Sequence, residues 1–111
     1  MTITRITPGS ITFNVTYGSN VSSANVLYTQ YSKYGNLVHL SVPLSTSATK
    51  EKGSTILTVP KGCRPISNFY FQVLNAGSMR NASIRASTGA LILENDWSSA
   101  VLWVNVAYIC A

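Results

Sequence analysis

Acidic side chains are almost missing from this sequence: Glu51, Glu94 and Asp96 are the three in 111 residues. Acid–base hydrolysis of glycosides normally uses two carboxylates about 5–10 Å apart. Glu94 and Asp96, which share one short segment, are the one pair where such chemistry could be sought. Histidine is scarcer still, with His39 alone, and the two cysteines, Cys63 and Cys110, stand 47 positions apart. These counts supply neither a zinc-ligand spacing nor a disulfide framework, and no cofactor or metal is expected. No apolar run approaches the roughly 20 residues of a membrane-spanning helix, so membrane insertion is not expected. The opening MTITRITPGS lacks the long apolar stretch of a secretory signal. Residues 1–9 read as a linker or the end of a preceding segment, and residues 10–111 as one domain.

Charge of either sign is sparse. Charged residues are 10% of the chain, against roughly 25% in ordinary soluble domains. The net charge of +5 reflects a shortage of acids, since only Lys50 with Lys52 and Lys61 with Arg64 lie close together. Basic residues do not interleave with aromatic ones as they do in a stacking groove, so nucleic acid is not an expected partner. Ser, Thr and Asn take the place of ions on a chain that is 46% hydrophobic. So little charge, on a chain long enough for one core, suggests that part of the surface is covered by further copies of the same chain.

Long helices are excluded by punctuation: prolines at 8, 43, 60 and 65 and seven glycines interrupt the chain at short intervals. Between them apolar and polar residues alternate. In SITFNVTY, Ile11, Phe13, Val15 and Tyr17 oppose Thr12, Asn14 and Thr16. In NLVHLSVPL, Val38, Leu40, Val42 and Leu44 oppose Leu37, His39, Ser41 and Pro43. This is the period-two signature of half-buried strands. The runs at 26–34, 54–60, 68–75, 82–87, 90–94 and 102–109 bring the total to about eight strands. KYGN and STGA fit tight hairpin turns, which need the positive φ that Gly and Asn accept. The expected fold class is all-β: an antiparallel β-sandwich or jelly-roll-like head. The last run, LWVNVAYI, is apolar on both faces apart from Asn105, so its second face is expected to meet a neighbouring subunit.

In VPKGCRP, residues 59–65, Cys63 would need a base to act as a nucleophile, and the sole histidine is His39. The preferred reading is a rigid corner: Pro60 ends one strand, Gly62 turns the chain and Cys63 fills a core position. No catalytic residue is expected. This corner, the following ASIRASTGALILENDW and the terminal WVNVAYI together resemble the β-sandwich head domains at the distal ends of tailed-phage receptor-binding proteins and tail fibres. Val59, Pro60, Gly62, Arg64 and Pro65 match the Leu-Pro-x-Gly-Phe-Arg-Pro corner of those heads. Ile84, Gly89, Leu91 and Ile92 match their hairpin, and Tyr108 and Ile109 their end. Cys63 stands where an aromatic is usual, and Ala107 where serine is common. The resemblance spans about residues 35–109. It implies a homotrimer in the virion, at the distal tail or baseplate, touching other phage tail or baseplate proteins and recognising bacterial cell-wall or capsular polysaccharide at the host surface.

Saccharide recognition needs an aromatic plate and a few directional donors and acceptors. LENDWSS, residues 93–99, offers Trp97 beside Asn95 and Asp96; the alternative is that Trp97 caps the sandwich while Asp96 holds a turn. His39, outside its strand's apolar set, could bond a hydroxyl or glycerol-phosphate. Arg80 could meet an acidic or phosphate-bearing glycan. Both also read as ordinary surface residues. Of Tyr28, Tyr31 and Tyr34, at least one should be exposed. The leading function is a non-enzymatic receptor-binding head that binds bacterial cell-surface saccharide. A structural tail or baseplate module without a glycan site is the alternative, and a glycan-degrading enzyme stands behind it.

Overall fold

The computed structural model describes residues 10–46, 51–75, 77–96 and 101–111. Among them ten strands form an all-β fold: β1 (Ser10–Thr12), β2 (Thr16–Tyr17), β3 (Val21–Ser23), β4 (Gln30–Tyr34), β5 (Leu37–Thr46), β6 (Thr55–Thr58), β7 (Phe69–Asn75), β8 (Ser78–Ile84), β9 (Ala90–Leu93) and β10 (Val101–Ile109). The described strand pairings are antiparallel, in the order β1-β4-β5-β10-β7-β8-β9-β6-β2, with β3 also on β5.

The sheet divides at β10. This strand pairs with β5 from Val101↔Ser45 to Ile109↔Leu37, but with β7 only through Leu102↔Asn75 and Trp103↔Leu74. Two layers diverge from that short join. β1 and β2 lie at opposite ends of the order, yet residues 13–15 alone connect them, a reach of at most about 14 Å. The sheet must therefore curl until its far edges meet. There the Tyr17 and Tyr31 hydroxyls lie 3.0 Å apart, and the Phe13 N–H donates to the Tyr31 carbonyl at 3.1 Å.

This crossing corrects the single strand expected over residues 10–17. The chain leaves one layer at Thr12 and enters the other at Thr16, so Ile11 is exposed while Phe13, Val15 and Tyr17 pack against the core. The strand expected at 26–34 is likewise shortened. Its start is a 3-10 turn, Val26–Tyr28, where Asn25 Oδ1 accepts the Leu27 N–H at 3.0 Å, a local bond that competes with strand pairing.

Alternation delivers the core. Val38, Leu40, Val42 and Leu44 of β5 and Leu102, Val104, Val106 and Tyr108 of β10 are buried with Val73, Ile84, Leu91 and Leu93 of the other layer. Each such side chain contributes roughly 1.5–3 kcal/mol on burial. The corner at 59–65 is a 3-10 turn, Lys61–Cys63, with Cys63 buried. Tyr108 Oη donates to the Cys63 carbonyl at 2.6 Å, tying β10 to the corner. Gly89, at φ +75°, turns the chain beside it; a Cβ there would sit 2.7 Å from the Val59 carbonyl oxygen.

Candidate functional site

β7 and β8 form a hairpin in register from Phe69↔Ile84 to Asn75↔Ser78. Val73 is buried while Tyr70, Gln72 and Leu74 are exposed, so these three and their partners Ser83, Asn81 and Met79 share the outer face. Just past β9, the Glu94 N–H donates to the Asn81 carbonyl at 2.8 Å, which brings Glu94 to the same region. The result is an open concavity of about 420 Å³ lined by Tyr70, Phe71, Gln72, Asn81, Ala82 and Glu94.

Its polar groups are held in place. Glu94 Oε1 accepts from Ser83 Oγ at 2.7 Å and from Arg85 Nη2 at 2.7 Å. The Arg85 guanidinium carbon lies 5.8 Å from the Tyr70 ring centroid, within cation–π range. Because both partners of the Arg85–Glu94 ion pair are partly exposed, it stabilises the fold by no more than about 1 kcal/mol. Its consequence is positional: one cation orients both the carboxylate and the aromatic ring. Gln72 Nε2 donates to Asn81 Oδ1 at 3.2 Å. That leaves Glu94 Oε2, Gln72 Oε1, Asn81 Nδ2 and the second proton of Gln72 Nε2 without a hydrogen bond to another described residue, and so available to a ligand.

The residues singled out from sequence fall in several places. Asn95 Oδ1 accepts the Asn81 N–H at 2.8 Å, and Asp96 Oδ1 accepts the Lys52 N–H at 2.7 Å. Both follow Glu94 directly, each with one oxygen engaged by backbone. Trp97 lies outside the described residues. His39 Nε2 is 3.1 Å from Asn105 Oδ1, on the outer face of β5 and β10 and away from the pocket lining. Arg80 lies within β8 opposite buried Val73, and its Nε is buried without a partner. Asn95 and Asp96 therefore accompany the pocket, and His39 and Arg80 do not.

Tyr70, Gln72 and Asn81 were missed by sequence reading. The available signal was Tyr70 itself, the one aromatic of NFYFQVLN out of phase with Phe69 and Phe71. Cys63 has no histidine partner here, since its corner bonds to Tyr108 while His39 bonds to Asn105. Burial pushes the Cys63 thiol up, opposing thiolate formation. Among the described residues no group of three or more His, Cys, Asp or Glu could hold a metal ion. The chain matches no protein-family model and no curated protein.

Proposed function

We propose that the protein is a homotrimeric receptor-binding head of a phage tail, which holds bacterial cell-surface saccharide without cleaving it. The observation carrying this reading is the outer face of β7 and β8. Tyr70, 61% exposed, supplies an aromatic plate beside the fixed carboxylate of Glu94 and the amides of Gln72 and Asn81, the combination that sugar rings and their hydroxyls require.

Self-association is supported by two rows of large apolar side chains on the outer surface. Met79, Leu74 and Trp103 are successive neighbours across β8, β7 and β10. Tyr34, Leu37 and Ile109 are successive neighbours across β4, β5 and β10. All six are 40–56% exposed in the lone chain, and such rows are what subunit contact covers.

The test combines light scattering with adsorption of the native protein to bacterial cells and to a glycan array. A trimer mass with glycan-dependent adsorption is expected. A stable monomer that binds tail proteins but no glycan would replace this reading with a structural module. Release of reducing ends from surface polysaccharide would replace it with a hydrolase acting through Glu94.

A further inference from the structure

We infer that the β7–β8 pocket selects a neutral pyranose and rejects phosphorylated and uronic sugars. The inference rests on the saccharide-binding reading above and adds the charge class of the ligand.

Glu94 is the one ionic side chain among the described residues lining the pocket. The nearby cation, Arg85, already directs Nη2 to Glu94 Oε1 at 2.7 Å and sets its guanidinium against the Tyr70 ring. Its charge offsets that of Glu94 and leaves no surplus for an anion. Arg80, next to Asn81 in sequence, is no substitute: strand alternation puts it in line with Val73 on the other side of the hairpin. Among the described lining residues, an acidic ligand entering here meets a carboxylate and no cation to compensate it, a like-charge contact that works as rejection.

The unpaired groups describe the ligand that fits. Glu94 Oε2 and Gln72 Oε1 accept, while Asn81 Nδ2 and the second proton of Gln72 Nε2 donate. Acceptors and donors stand side by side, so the match is a molecule rich in hydroxyls, which both donate and accept, with an apolar C–H face for Tyr70. A space of about 420 Å³ lies within the range of small-ligand clefts.

The experiment follows the side-chain amide resonances of Gln72 and Asn81 in the full, isotope-labelled chain. It is titrated separately with galactose, glucose, N-acetylglucosamine, glucuronic acid and glycerol phosphate. At least one neutral sugar should shift both amides in a saturable manner while the two acids leave them in place. Glu94→Gln should weaken the neutral sugar at least tenfold and, by freeing Arg85, should admit glycerol phosphate. A merely structural role for Glu94 would not produce that reversal. Tyr70→Ala, at an exposed position, repeats the test of neutral-sugar affinity should Glu94→Gln fold poorly. Acids shifting these amides as strongly as neutral sugars, or no sugar shifting them, overturns the inference. Cell adsorption with sugar-induced shifts elsewhere leaves the receptor reading intact and removes this one. Neutral sugar seated here by a protein that ignores cells does the reverse.

Discussion

Arg85 Nη2 donates to Glu94 Oε1 at 2.7 Å, joining the turn after β8 to the end of β9. The same guanidinium lies against the Tyr70 ring, so one side chain positions both halves of the pocket. Arg85→Ala should therefore lower saccharide affinity at least tenfold while changing stability by under about 1 kcal/mol, as expected for a partly exposed ion pair. Calorimetric titration beside a thermal melt separates the two effects. Unchanged affinity would show that the ring and carboxylate need no common anchor.

Trp103 and Leu74 are paired across β10 and β7, and both are exposed in the lone chain. Trp103→Asp puts a charge into that apolar row without entering the core. If the parent chain is the proposed trimer, light scattering should report trimers for it and monomers for this variant, with an unchanged circular dichroism spectrum. A trimer surviving both Trp103→Asp and Ile109→Asp would remove these rows from the subunit contact.

Tyr108 is buried, and its hydroxyl donates to the Cys63 carbonyl at 2.6 Å. Tyr108→Phe keeps the ring but leaves that carbonyl without its partner, a loss of about 1–2 kcal/mol. The melting temperature should fall by roughly 4–10 °C. An unchanged melt would mean that the corner does not depend on this tie.

How far the fold could be read from sequence depended on whether one face of a strand meets the core. β5 and β10 were legible because Val38, Leu40, Val42 and Leu44, and Leu102, Val104, Val106 and Tyr108, place a large apolar residue at every second position, although the second face of β10 is apolar too apart from Asn105. The break between β1 and β2 was not. Phe13 and Val15 still face the interior as the chain crosses between layers, so the pattern persists where the pairing does not. Asn95 and Asp96 were visible as polar residues in a loop. Tyr70, Gln72 and Asn81 were not, because what makes them a site is the register Gln72↔Asn81 and the arrival of Glu94 from another strand. The three tyrosines at 28, 31 and 34 show the same limit: Tyr31 is buried and the other two exposed, a division set by the 3-10 turn that precedes β4.

Alkaline pH should destabilise the fold in a predictable direction. The Tyr31 and Tyr108 hydroxyls are held well above their ordinary value of 10.0, in both cases chiefly by burial. In the unfolded chain they ionise near pH 10, whereas in the folded chain they keep their protons. Above that pH the unfolded state binds fewer protons than the folded one, so stability falls as pH rises. Below about pH 9 these groups should leave stability unchanged. Urea midpoints between about pH 8 and pH 11 should trace this decline, and Tyr31→Phe should flatten it. An equal slope in the variant would assign the alkaline loss to other groups.

The most direct measurement is the affinity of the intact protein and of Tyr70→Ala for bacterial surface polysaccharide, by calorimetry under identical conditions. Removal of this ring, 61% exposed, is expected to cost at least tenfold in affinity with the melting temperature preserved. Equal affinity of the two proteins would contradict a saccharide site on the outer face of β7 and β8.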